Sequence, residues 1–517
     1  MITPIMLSKE WHYCICYDIF DDLASQICSH WPQSVSFVAT RSPKMHCPLH
    51  YNQASYAKTL SWKKDIDCCQ WDGVTCDPIA GHVIGLDLSC SQLTGPITSN
   101  NSIFLLNRLR SLNLGFNNFS SNIPQELGQL SHLEYLNLSN SGFFGHAPSE
   151  MAQLSQLRSI DLSDAYYIVM PNLGEIIANL TELRELNLYG VDINSTIPQS
   201  LMNLSSLTSL QLSFCSLYGK FPDDILQLPH LRVLNIMFNE LLYANFTRSS
   251  NWSSPLEVLH LRDFSFSGRL PDSLSHSESL RDFSIASCNF HGMIPSWVWN
   301  ITELTDLSGN NFNGELPSTV NIGSLSTLTG IYLDSNLLSG MLPSWLFNLP
   351  LLQVLFLEVN QFSGELNHIN NNNNSLDTII LGFNKIYGPI PKAIFGLTSL
   401  IDLSLRSNKL SGSVELNRIS NLKRLRYLDL SANSLSVTTT NEDANFTISW
   451  PQLYTLRLSF CNITEFPNFL RSQKDLFILD LSNNNIHGEA PKWLHDMESI
   501  TYLQLSQNSL TGGLEDL

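Results

Sequence analysis

The sequence predicts an α/β-type solenoid, a single row of short stacked units that share one parallel sheet. Three observations carry that prediction. The first is self-similarity: LRSLNLGFNNFSSNIP from Leu109, LTSLQLSFCSLYGKFP from Leu207, LTGIYLDSNLLSGMLP from Leu328 and LFILDLSNNNIHGEAP from Leu476 all follow the frame LxxLxLxxNxLxGxIP. The second is period. With the second Leu of each LxL as a marker, eighteen positions run from Leu88 to Leu505, most of them 24 residues apart. That pattern and period are those of leucine-rich repeats. The third is composition: charged residues are 14% of the 517, against about 25% in typical soluble domains, because the frame places Ser and Asn at its turns. A length that suggests roughly three or four ordinary domains therefore counts repeats.

Each position of the frame has a physical task. The alternation xLxLx is the period of a strand, so the Leu pair faces inward and the flanking residues face the open side of a parallel sheet. The Asn three residues after the marker (Asn117, Asn239, Asn310, Asn336, Asn360, Asn384, Asn408, Asn433, Asn484, Asn508) turns inward and is expected to form a ladder that satisfies backbone groups of neighbouring units. Gly and Pro of GxIP set the following bend and turn.

Some units depart from the frame. The unit at Leu162 runs into SDAYYIVMPNLGEII without a GxIP turn, Ile236 leads into LLYANFTRSSNWSSP, and Leu430 into SVTTTNEDANFTISWP. Asn371 to Asn374 read as an exposed turn. Around Leu307, ELTDLSGNNF is two residues short of a full strand and predicts a strained or poorly paired one.

Charge and hydropathy exclude several functions. With 46 acidic against 28 basic residues and a net charge of -18, nucleic acid and anionic lipid are poor partners. The best apolar stretch, Leu342 to Val359, is broken by Pro343, Asn348, Pro350, Gln353 and Glu358, so it does not make the roughly 20-residue span a membrane helix needs. The start, MITPIMLSKEWHYCICYDIF, makes a poor export signal, since it lacks a basic opening and Asp18, Asp21 and Asp22 close its second apolar run. No phosphate loop, nucleophile elbow, HExxH or kinase catalytic loop occurs, and the fourteen His are scattered. No enzyme, cofactor or metal is expected.

Of the 11 cysteines, Cys215, Cys288 and Cys461 take the ladder position and read as inert packing thiols. Cys68, Cys69 and Cys76 cluster just before the first repeat. Zinc is the rival reading, but adjacent cysteines lack the CxxC geometry and no His pair completes a site. Disulfides fit better: Cys69 to Cys76 closes a short loop and Cys68 reaches back, most simply to Cys47, stapling a cap in an oxidising compartment. Cys90 reads as a free or structural thiol, while Cys14, Cys16 and Cys28 have no frame. Twelve N-x-S/T triplets occur. The expected glycosylation acceptors are Asn118, Asn179, Asn203, Asn245, Asn251, Asn300, Asn445 and Asn462. Asn179, Asn203 and Asn300 recur at one outer repeat position, whereas Asn137 falls on the strand face.

The cap SWKKDIDCCQWDGVTCD, followed by GHVIGLDLSCSQLTGPI and 24-residue LxxLxLxxNxLxGxIP units, resembles the plant leucine-rich-repeat receptor-like proteins, nearest to the tomato-type resistance receptors, from about Cys47 to Leu517. The resemblance implies a plant-type superhelix with a parallel β-sheet on the concave face and irregular or 3-10 turns on the convex face. It implies an extracellular recognition module at the plasma membrane that binds a protein, peptide or glycan ligand and signals in plant defence through a co-receptor kinase. The expected organisation is an unassigned, disordered or degenerate segment over 1–46, a cysteine-paired cap over 47–80 and about eighteen repeats over 81–517. The array reads as truncated at LTGGLEDL, with the family's membrane helix absent. Two other classes stay open: a secreted inhibitor of a cell-wall-degrading enzyme, and an ectodomain fragment of a leucine-rich-repeat receptor kinase.

Candidate binding residues follow from the strand face. Asp87, Asn113, Asn137, Asp161, Asn187, Gln211 and Asn235 run down its centre column, which then changes to Tyr332, Phe356 and Ile380, with Val354, Val359 and Phe383 beside them. With strands about 4.8 Å apart these make one contiguous apolar patch. The alternative is that they merely stack as cross-strand pairs. A second candidate, Arg158, Asp161, Asp164, Arg184 and Glu185, reads as a solvated charged face. Phe116, Phe214, Phe238, Phe383 and Phe460, two residues after their markers, read as generic packing at the strand end.

Overall fold

The structure, a computed structural model, describes residues 56–512 apart from 64–65, 248, 264, 277–278, 304, 370–374 and 439–448. The segment 1–46, Cys14, Cys16, Cys28, Cys47, the Asn371 to Asn374 turn, Asn445 and most of the excursion after Leu430 lie outside the described residues. The described residues form two compact units, the first within Met1–Ala244, Ser249–Ser265 and His276–Ser279, the second within Asn245–Arg248, Phe266–Ser275 and Leu280–Leu517.

In the first unit the cap strand Val74–Cys76 pairs antiparallel with Val83–Asp87. From there three-residue strands pair in parallel and in one register: Leu86, Leu112, Leu136, Ile160, Leu186, Leu210, Leu234 and Leu259 stand side by side. All eight are buried. The second unit repeats the scheme from Asp282–Ser284 to Tyr502–Gln504. Its strand Thr305–Asp306, where the sequence is short, has only two residues but pairs with Phe283 and Ser284 on one side and with Ile331 and Tyr332 on the other. The shortage shortens the strand to two residues, yet both are paired on each side, and Gly309 takes the left-handed position two residues past the marker at φ +64°.

The Asn ladder is present in both units. Asn117 donates to Leu88 O at 2.8 Å and Leu114 O at 2.9 Å, and accepts from Leu93 N at 2.9 Å, tying two successive repeats. Asn336 does the same with Leu307 O at 2.9 Å, Leu333 O at 3.2 Å and Phe312 N at 3.0 Å. Where Cys replaces Asn the thiol keeps part of the work: Cys215 Sγ lies 3.1 Å from Leu188 O. Burial pushes the Cys215 and Cys461 thiols up to about 12, which leaves both uncharged and unreactive.

The convex side is built mainly of 3-10 turns, such as Gln125–Gln129, Gln199–Asn203, Ser296–Asn300 and Lys392–Gly396. Each follows a Pro in extended conformation, with Pro124, Pro198, Pro295 and Pro391 at φ near the value the ring imposes. The irregular repeat after Leu162 closes instead with one α-helical turn, Leu173–Ile177, burying Leu173, Ile176 and Ile177. The stretch after Ile236 is a six-residue strand, Leu241–Phe246, with every second side chain buried, and Trp252 fills the interior beyond it.

In the cap, Cys69 and Cys76 are disulfide-bonded with Cα atoms 5.6 Å apart, and Trp62 stacks on Trp71 at 5.0 Å. Cys68 is disulfide-bonded as well. The sulfurs of Cys68, Cys69 and Cys76 lie within 4.8 Å of one another, but all three are oxidised and offer no thiolate to a metal. Cys90, read from the sequence as a free or structural thiol, is in a disulfide. It stands one residue before the ladder position, at φ +54°, and is buried.

Candidate ligand-recognition face

The strand face is best understood from its centre column. In the first unit these residues cap their own strand ends. The side-chain oxygen accepts from the backbone N–H two residues on: Asp87 from Ser89 at 3.0 Å, Asn113 from Gly115 at 3.1 Å, Asn137 from Ser139 at 2.9 Å, and Asp161 from Ser163 at 2.9 Å. This is an Asx turn, and it accounts for the prevalence of Asp and Asn in the column. The second unit uses it too, in Asp306, Asp429 and Asp480. A tyrosine, phenylalanine or isoleucine cannot accept that bond. Tyr332, Phe356 and Ile380 therefore stand where the fold favours a cap.

The register places these three side by side, with Gly330, Val354 and Thr378 forming the next row. The Tyr332 and Phe356 rings stack at 5.6 Å. Gly330 makes room for this: a Cβ there would stand 2.7 Å from the Tyr332 ring. Tyr332, Val354 and Phe356 are half-buried. Val359 and Phe383 are 48% and 42% exposed, while Ile380, at 9%, is buried and contributes little surface. The patch is thus a stacked aromatic pair flanked by two exposed apolar residues.

Val359 and Phe383 occupy a position whose backbone is left-handed, at φ +55° and +52°. For a β-branched residue this is strained. The same holds for the other phenylalanines two residues past the marker, Phe116, Phe214, Phe238 and Phe460, at φ +56° to +58°. None of them is buried, so their packing at the strand end is on the surface. In the first unit they make an aromatic row, with Tyr189 against Phe214 at 5.6 Å, Phe214 on Phe238 at 4.2 Å and the Arg262 guanidinium over Phe238 at 5.9 Å. The left-handed bend throws the side chain outward, a consequence that residue type alone does not announce.

Four of the five charged candidates of the first unit, all but Arg184, have local partners. Arg158 pairs with Glu134 at 3.1 Å, Asp161 caps its strand, Asp164 accepts from the Tyr166 hydroxyl at 3.2 Å, and Glu185 accepts from Ser159 Oγ at 2.9 Å.

Beside the patch the second unit gathers a set of charges that sequence reasoning missed. Glu358 leans across Gly382, where a Cβ would come within 2.7 Å of its Oε1. Arg406 lies over the Phe383 ring at 4.9 Å. The side chain of Asp429 is fully buried, and its Oδ2 accepts no hydrogen bond from any of the described residues. The nearest cation, Arg457 Nη1, stays at 3.9 Å. Burial raises the Glu358 and Asp402 carboxyls above the usual range, with neighbouring acids adding to the shift. The sequence signal was available: Asp402, Arg406, Asp429 and Arg457 all flank the Leu pairs of successive units.

Among the described residues no helix is long and apolar enough to cross a membrane. The sequon residues Asn118, Asn179, Asn203, Asn245, Asn251, Asn300 and Asn462 are all exposed.

Comparison with known proteins agrees with this architecture. Family models match the chain as a leucine-rich repeat region over residues 86–310, as leucine rich repeat over 374–435 and 451–510, and as a leucine rich repeat N-terminal domain over 50–77. Receptor-like protein 6 of Arabidopsis thaliana is 38% identical over 478 residues, 85% of this chain and 47% of the relative. Receptor-like protein Cf-9 of Solanum pimpinellifolium is 41% identical over 230 residues, 44% of this chain and 26% of the relative. The Arabidopsis receptor kinase HAESA, solved in complex with the peptide hormone IDA and the co-receptor SERK1, is similar with a TM-score of 0.62 at 25% identity, covering 89% of this chain and 91% of that chain. The chain spans less than half the length of the two relatives.

Repeat, ladder, cap and parallel sheet define a leucine-rich-repeat solenoid protein. Within that class the chain belongs to the plant leucine-rich-repeat receptor-like proteins.

Proposed function

We propose that the chain is the extracellular recognition part of a plant receptor-like protein, that it binds a peptide ligand on its concave face, and that it signals in defence through a partner receptor kinase at the plasma membrane. The observation that carries this reading is the stacked aromatic pair Tyr332 and Phe356, which occupies two successive places in a column where Asp87, Asn113, Asn137, Asp161, Asp306, Asp429 and Asp480 cap their own strands. Giving up that hydrogen bond costs about 1 kcal/mol per site, and a half-exposed aromatic pair is a poor return unless something binds it. The likeness to HAESA, a receptor solved with a peptide hormone and a co-receptor kinase, supports both kinds of partner. The defence role rests on the similarity to the tomato-type receptors. On this reading 47–80 is the cap and 81–517 the repeat array, the face works by binding without catalysis, and the exposed sequons carry glycans.

The test is retention of extracellular peptides from challenged leaves on the immobilised protein. A species held by the natural chain and lost with Tyr332→Ala and Phe356→Ala, at unchanged secretion, supports the patch. Equal retention by both eliminates it. Recovery of a receptor kinase with the same bait from plant membranes tests the partner.

A further inference from the structure

The charges beside the aromatic pair form a site of their own, and its centre is Asp429. This residue spends Oδ1 on the cap of its strand, accepting from Ser431 N at 3.0 Å. Its Oδ2 is buried and accepts no hydrogen bond from any of the described residues. A carboxylate taken out of water is costly unless its charge is met, and at 3.9 Å Arg457 is beyond hydrogen-bonding reach of it. Arg457 stands directly alongside on the next strand, Ser404 on the preceding one. Glu358 adds a second carboxylate to the field of Asp429, and Arg406, the cation that acts on Glu358, is already engaged over Phe383. Burial disfavours the ionised form of Glu358; Arg406 offsets part of that, and the charges of Asp334 and Asp429 add to it. A site in that condition gains by receiving a positive charge.

We propose that the concave face of the second unit binds an arginine or lysine side chain of its peptide ligand, with the Asp429 carboxylate taking the ligand's cation in place of Arg457. The inference rests on the reading of this face as a peptide-recognition surface and names the ligand's chemistry. A neutral or uronic-acid glycan brings no cation to meet the carboxylates. The register also sets a spacing. Phe356, Ile380, Ser404 and Asp429 are successive neighbours along the sheet, so the aromatic pair and Asp429 are three strand spacings apart, about 14 Å. An extended peptide covers that in about four residues. The ligand therefore carries an apolar or aromatic residue about four positions from the basic one.

The probe is the peptide Ac-Phe-Gly-Gly-Gly-Arg-NH2, compared with the same peptide carrying citrulline, which keeps the shape of arginine without its charge. Calorimetry on the whole chain should give about tenfold or more preference for the arginine peptide. Asp429→Asn retains the cap acceptor and should erase the preference while leaving the unfolding profile unchanged. Arg457→Met, which removes the internal competitor, should widen it. Tyr332→Ala with Phe356→Ala should weaken both peptides equally. Equal affinity for the two peptides, no binding of either, a preference that survives Asp429→Asn, or one that vanishes in Arg457→Met overturns the proposal. None of these results touches the function reading, which stands or falls on retention of natural peptides by the aromatic pair.

Discussion

The centre columns of the two units use one strand geometry for different ends. In the first unit Asp87, Asn113, Asn137 and Asp161 turn their oxygens back on their own backbone. In the second, Tyr332 and Phe356 turn rings onto each other, and Asp429 holds one oxygen on its backbone and leaves the other without a hydrogen bond from any of the described residues. A polar concave column is therefore mostly part of the scaffold, although it looks like a binding surface. Function is to be sought where the column abandons the cap.

The comparison can be broken most severely at the feature both units share. Replacing Asn117 or Asn336 with Leu removes the bonds its side chain gives to three carbonyls and accepts from one backbone N–H, and each variant should lose about 3 kcal/mol of local stability. Hydrogen exchange of the flanking repeats measures it. A loss in one unit only would show that the ladder is not the common support.

The next test exchanges the columns. Tyr332→Asn and Phe356→Asn restore the cap and should each stabilise the chain by roughly 0.5–1 kcal/mol, offset by the lost stacking, while abolishing peptide retention. Asn137→Ala should cost about 1 kcal/mol and leave retention intact. Denaturant unfolding and the retention assay together decide this; a destabilised Tyr332→Asn with full retention would reverse the assignment of the two columns.

A smaller effect is expected at Val359, whose left-handed backbone asparagine tolerates better. Val359→Asn should raise stability by up to about 1 kcal/mol, whereas the same position in the first unit already holds residues such as Asn140 and Asp164. An unchanged melting temperature would mean the strain is absorbed elsewhere.

The smallest effect concerns pH. Glu358 and Asp402 titrate above their ordinary range because of burial, so the stability they lend is present below the unfolded-state pKa and is lost as pH rises through the folded value. Glu358→Gln should therefore flatten the decline in stability as pH rises above the ordinary carboxylate range. A steeper decline in the variant would contradict the burial of that carboxyl. Cys215 and Cys461, in contrast, should stay unlabelled by iodoacetamide at pH 8.5 in the native protein, since their thiols titrate at about 12. Labelling before unfolding would show that they are accessible.

Much of this was legible in the residues. The eighteen markers place every described inner strand, and the register of Tyr332, Phe356 and Ile380 follows from their shared frame position. The Cys69 to Cys76 bridge follows from adjacency and loop length. Other features were not legible. The frame gives no sign that the residue two past the marker is left-handed, so the packing of Phe214 and Phe238 at the strand end could be read from the sequence but not its place on the surface. Ile380 has the same frame position as Tyr332 but is buried, because burial depends on how far neighbouring side chains reach over it. Cys90 needed its chain path to be known before its disulfide could be.

By itself the sequence determined the solenoid, the ladder and the family, because each repeats a local rule many times and errors in one unit are corrected by the next. Only the tertiary structure decided which face residues serve the backbone and which serve a ligand. That distinction turns on whether a side-chain oxygen already has a partner, and the partner of Asp429 Oδ2 depends on the reach of Arg457 from the neighbouring repeat, a distance set by packing between units.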